Sequence, residues 1–129
     1  MGAENGRGDG MTDKMALARE WKHRLGLDDW EIDINAECAP NEMTLEEVDG
    51  CTVWTECNKT ARMEILAEEH YGERIRPYDF ERILVHEFLH LKLSIVSDQV
   101  EPTQARYMHQ IIDDLARAFV SAKHNEVEE

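Results

Sequence analysis

"FERILVHEFLHLKLSIV", residues 80–96, is an almost unbroken apolar run with His86, Glu87 and His90 set in its middle. An ionisable side chain buried in such a segment costs several kcal/mol unless something pairs with it. On a helix of 3.6 residues per turn, positions 86 and 90 stack on one face. Glu87 lies about 100° around from His86 and about 60° from His90. The two imidazoles can therefore grip one ion, with the carboxylate beside that ion rather than on it.

The spacing is His-Glu-x-x-His. Its mechanical logic is a pair of neutral imidazoles as zinc ligands and a carboxylate that takes a proton from a water activated by the ion. A plain helix-on-sheet core with two neutral, hydrogen-bonded histidines would account for each His but leave Glu87 without a partner. One bound cation accounts for all three.

A catalytic zinc keeps three protein ligands and one open position. The longer His-x-x-Gly-x-x-His continuation is absent, because Leu93 and Val96 occupy its Gly and final His positions. The third ligand is expected on the next helix, where His109 and Asp113 are one turn apart at the edge of an apolar stripe made by Ala105, Met108, Ile112, Leu115 and Phe119. His109 is the expected ligand. Asp113 is expected to accept the free N–H of a ligating imidazole, most naturally His86, and so fix its tautomer. The competing assignment makes His109 a half-exposed helix residue and pairs Asp113 with Arg106 or Arg117. Glu101 is the rival third ligand, although capping the last helix is the cheaper use for it. His23, His70 and His124 sit in polar surroundings and are expected to be solvated.

Working outward from the quoted run, "DDWEIDINAE" alternates Trp30, Ile32 and Ile34 with polar residues, as a half-buried strand does. Cys51 and Val53 after Gly50 suggest a second strand. Met63 and Ile65 suggest a third, with "NKT" at the turn between them. Pro77 fits the first turn of the quoted helix. Upstream, Thr12 to Leu25 has helical spacing of Met15, Ala18, Trp21 and Leu25, with Thr12 as cap and Gly26 beyond the last turn. The last helix starts near Asp98 to Pro102. The expected class is α+β: an N-terminal helix, a small three-stranded, mainly antiparallel sheet, the metal helix and a C-terminal ligand helix. Residues 1–10 are expected to be a disordered leader, 11–122 a single domain, and 123–129 a charged tail.

The chain has 129 residues, 42% of them hydrophobic, enough for one modest core. A formal net charge of −14 repels a phosphate backbone and excludes nucleic-acid binding as the main task. No stretch is long and apolar enough to span a membrane, and the N-terminus lacks the layout of a secretory signal. Cys38, Cys51 and Cys57 contain no C-x-x-C pair and are expected to be reduced thiols of a cytoplasmic protein. A Cys51–Cys57 disulfide is the alternative.

The layout of strands, "LVHEFLHL" (84–91) and "HQIIDDLA" (109–116) resembles a minimal zincin metallopeptidase over roughly Trp30 to Phe119. In size it is similar to the minigluzincins and to short metallopeptidases of bacteria and their phages. Gluzincins carry Glu-x-x-x-Asp on the second helix, whereas this chain has His109-x-x-x-Asp113. A third His is similar to SprT-like zincins, whose added zinc ribbon has no cysteine pairs to build it here. The resemblance implies a zinc-dependent peptidase with one ion, a peptide or protein substrate, and Glu87 as general base. Tyr78 and Tyr107 are the hydroxyls near enough in sequence to be considered for the oxyanion. It further implies that the strand beside the active helix, "ARMEIL" (61–66), forms a rim along which a peptide lies. The alternative of another class is a catalytically inactive zinc-binding regulatory or interaction module.

Overall fold

The computed structural model describes residues 2–97 and 99–128, with side chains for 13–96 and 99–125. In chain order the elements are α1 (Gly2–Arg24), β1 (Glu31–Cys38), β2 (Gly50–Thr55), β3 (Thr60–Leu66), α2 (Phe80–Lys92), the short α3 (Ser94–Ser97) and α4 (Pro102–Glu128). The class is α+β, built on a three-stranded sheet of order β1-β3-β2.

The sheet is mixed, which corrects the mainly antiparallel expectation. β2 and β3 form an antiparallel hairpin, but β1 runs parallel to β3, with Ile32 opposite Ala61 and Ile34 opposite Met63. After β1 the chain skips a place, lays down β2 on the far edge and returns through the middle as β3. Alternation of apolar and polar residues is the same in both kinds of ladder, so the pattern reveals strands without revealing their direction. The "NKT" turn is present: Lys59 takes φ 54°, and its amide closes a bond to the Glu56 carbonyl at 3.2 Å.

α2 is the centre of the molecule. Ile83, Leu84, Val85, Phe88, Leu89 and Leu91 are all buried, which is why its sequence is apolar nearly all round. One side meets Ala61, Met63 and Ile65 of β3; the other sides meet Trp21 of α1 and Ile112, Ala116 and Val120 of α4. On α4 the expected stripe holds at Met108 and Ile112, but beyond them the buried residues are Ala116 and Val120, one position on from Leu115 and Phe119, which stay exposed. The loop after β1 covers part of the far face of the sheet, where buried Glu64 accepts from the Thr44 amide at 2.9 Å and hydroxyl at 3.2 Å, while Val53 on the same face is exposed.

Helix boundaries differ from expectation in instructive ways. α1 begins at Gly2, so Thr12 is inside the helix and does not cap it; the residues that pack, Leu17, Ala18 and Trp21, lie in its C-terminal half. α2 begins after Pro77, with Asp79 as cap accepting from the Arg82 amide at 3.2 Å. A carboxylate at that position meets both the free amides and the helix dipole. α4 starts at Pro102, the later end of the expected range, while Asp98 at its other end lies outside the described residues.

α4 also continues through Lys123 and His124, which had been expected in a solvated tail. They turn to Glu81 instead. Buried Glu81 accepts from Lys123 Nζ at 2.6 Å and Trp21 Nε1 at 2.7 Å, and His124 Nε2 lies 2.8 Å from its other oxygen. Lys123 also reaches Glu20 at 3.0 Å. This cluster joins α1, α2 and α4 at one end of α2. No helix among the described residues is long and apolar enough to cross a membrane.

Candidate metal centre

α2 and α4 pack as an antiparallel pair through two ridges of four-residue spacing: Arg82, His86 and His90 on one, His109, Asp113 and Arg117 on the other. Because the helices run in opposite directions, His90 meets His109 while His86 and Arg82 meet Asp113. The ring centroids are 4.5 Å apart for His90 and His109, 5.5 Å for His86 and His109, and 5.0 Å for His86 and His90.

Each imidazole offers one nitrogen to a common space. Those three atoms lie within 4.8 Å of one another, and they are the one such group of His, Cys, Asp or Glu among the described residues. Glu101, exposed at the start of α4, is not part of it. His86 Nε2 and His90 Nε2 are 3.2 Å apart. Two ligands at 2.0–2.1 Å from a tetrahedral ion would be about 3.3 Å apart, so the spacing suits one zinc-sized cation.

The protonation states agree with a ligand set. Burial pulls His90 down to about 4, helped by the neighbouring His109 and His86 rings. Burial also lowers His86, with His109 adding to the effect and Asp113 opposing it. Both rings are therefore neutral near pH 7 and carry lone pairs. Asp113 Oδ1 lies 3.5 Å from His86 Nδ1, so the proton of that ring sits toward the carboxylate and Nε2 faces the common space. Asp113 pairs with arginines as well, at 2.9 Å from Arg76, 3.3 Å from Arg82 and 3.6 Å from Arg117. The Arg117 pair and an exposed His109 agree with the competing assignment, whereas among the described residues Arg106 makes no such pair.

Glu87 is 5% exposed, at the floor of a cleft of about 200 Å³ that His86, His109, Asp113, Asp49 and Gly50 also line. Its Oε1 accepts from Thr52 Oγ1 at 2.7 Å. Burial pushes its carboxyl up to about 7, against the Thr52 bond and with the charge of Asp49 adding to the rise. Gly50 makes this position possible: a Cβ there would stand 2.8 Å from Oε2 and 2.9 Å from Cγ of Glu87. Gly50 and Thr52 both belong to β2 and alternate onto the face turned to α2.

Neither Gly50 nor Thr52 stood out in the sequence, since nothing local ties a β-strand to a helix thirty-odd positions on. Arg82 was legible in principle, being one turn before His86 on the same face. Two expectations do not hold. Tyr78 is engaged elsewhere, donating to the Leu66 carbonyl at 2.7 Å, and burial pushes its phenol up to about 12. "ARMEIL" is the central strand, hydrogen-bonded on both sides, so it has no free edge for a peptide; the free edge beside Glu87 belongs to β2. The cysteines are all unbonded, Cys38 and Cys51 buried and Cys57 exposed. Comparison with known proteins returns no match: no family model, no curated protein and no solved structure.

Proposed function

We propose that this protein is a zinc-dependent peptidase of minimal zincin type. The observation that carries the reading is the convergence of three imidazole nitrogens within 4.8 Å, beside a carboxylate that is 5% exposed. His86, His90 and His109 would hold the ion. When bound, zinc polarises a scissile carbonyl and acidifies water at its open position.

The chain's own part follows from Glu87. Thr52 occupies Oε1, which leaves Oε2 to take a proton from the attacking water and to return it to the leaving amine. A carboxyl titrating near neutrality suits both transfers. Asp113 keeps the His86 ring oriented through Nδ1. The free edge of β2 supports an extended peptide laid alongside it as an added strand, with alternate side chains facing the cleft.

A zinc-binding module without hydrolysis needs the imidazoles but gives no reason to bury Glu87 at a cost. The two are separated by metal analysis together with digestion of a broad peptide library, with and without chelator. About one zinc per chain, cleavage that stops on chelation, and a Glu87→Gln variant that retains zinc without activity are expected. Absence of stoichiometric zinc removes the metal centre. Zinc without cleavage gives the binding module, and retained zinc in His109→Ala removes the third ligand.

A further inference from the structure

The metal reading leaves Arg82 and Arg117 of the two ridges without a task, and Arg76 from the loop before α2 joins them. All three guanidiniums converge on Asp113, Arg76 and Arg117 toward Oδ2 and Arg82 toward Oδ1. A guanidinium has five N–H donors, so a single carboxylate satisfies only a fraction of those present. Arg117 passes a second donor outward to Asp114 at 2.6 Å. Asp79, a further acid at this place, caps α2 through Oδ1.

Arg82 is the least provided for. Its side chain is 12% exposed, yet among the described residues its guanidinium has one hydrogen-bond acceptor, Asp113 Oδ1, at the long distance of 3.3 Å. It lines the cleft shared by His86, Glu87 and His109 and also an adjoining hollow of about 440 Å³, bounded by Arg76, Pro77, Asp79, Arg117, Val120 and Ser121. Three guanidiniums that share one carboxylate keep N–H donors free to meet a second anion where they border the cleft and the hollow.

We infer that Arg76, Arg82 and Arg117 form a subsite for a carboxylate of the peptide, next to the metal centre. This rests on the peptidase reading and names its substrate class: peptides carrying an acidic side chain or a free C-terminus close to the scissile bond. Arg82 Nη1 and His86 Nδ1 lie 3.3 and 3.5 Å from the same oxygen of Asp113, which puts the arginine cluster directly beside the His86 ring. The planar fork of arginine fits a carboxylate through paired N–H bonds. In a chain of net charge −14, an anionic group is repelled everywhere that lacks such a local cluster.

The test is a titration of the full chain, as purified, followed at the arginine Nε–Hε signals by NMR. Three probes are used: N-acetylglutamate α-amide, N-acetylglutamine and N-acetylglutamine amide. They offer a side-chain carboxylate, a terminal carboxylate and none. At least one carboxylate probe is expected to shift the Arg82 signal saturably, and which one does so identifies the source. Affinity is expected to fall about tenfold in Arg82→Lys, which keeps the charge and loses the fork, and in the exposed pair Arg76→Gln/Arg117→Gln. The second variant keeps the test decisive should the first fail to fold. An equal response to the neutral probe, or none to either carboxylate, overturns the inference. With peptides differing only in Glu or Gln at one position, the preference for Glu should decline toward one in the same variants, through KM. If carboxylate binding persists while no peptide is cleaved, the peptidase reading falls and the subsite stands.

Discussion

Glu87 is the residue at which folding and chemistry pull in opposite directions. In the metal-free protein its carboxyl titrates at about 7 when folded, against 4.5 when unfolded. Between those values the folded chain holds a proton that the unfolded chain has released. The stability this group contributes is complete below pH 4.5 and is lost as pH rises through 7, on the order of 3 kcal/mol in all. Gln at this position does not titrate, so metal-free Glu87→Gln is expected to melt above wild type at pH 8, with the gap closing as pH falls to 4.5. His90 has the opposite sign: its pKa is depressed to about 4, so its contribution is present above 6.5 and lost as pH falls through 4. Being common to both proteins, it cancels in the difference. A gap that ignores pH in thermal melts would mean that Glu87 is not held in a dry site. Gly50 is the companion case. Its replacement by Ala forces Glu87 to move, and a stability loss of about 1–3 kcal/mol by urea melt is expected, together with loss of cleavage.

At the scale of elements, the site is as good as the seam between α2 and α4. Ile112 and Ala116 are fully buried there, and Ile112 lies between His109 and Asp113 in sequence. Ile112→Ala is expected to cost about 2–5 kcal/mol in urea melts. Because it loosens the helix that presents His109, zinc affinity should fall with it although no ligand is touched. A variant that loses stability and keeps full zinc affinity would show that the imidazoles do not depend on this packing. The same seam explains what was legible in advance. The convergence of His86, His90, His109 and Asp113 was legible because a helix converts sequence spacing into direction, one turn at a time. The second half of the buried row of α4 was misjudged by one position because Leu115 and Phe119 are as apolar as Ala116 and Val120, and only the neighbour decides which row is covered. Gly50, Thr52 and the parallel β1–β3 ladder depend on contacts between distant segments, which local periodicity does not encode.

For the whole molecule the governing quantity is the net charge of −14. Such a surface repels itself, which weakens the folded state, and it attracts a divalent cation from a distance. Both effects are screened by salt, over about 30 Å at 0.01 M and about 10 Å at 0.1 M. Burial keeps His86 and His90 uncharged near pH 7, so the bonds they would make to a metal carry little of this dependence. Two opposite trends are therefore expected from one sample as salt is raised across that range. The metal-free melting temperature should rise as self-repulsion is screened, while zinc affinity, measured by competition with a chelating dye, should weaken. His109→Ala should lower affinity at every ionic strength and leave the slope against salt unchanged, since the variant removes a ligand without altering the surrounding field. If its slope flattens instead, the attraction is local to the three imidazoles and the acidic surface has no part in bringing the ion to them.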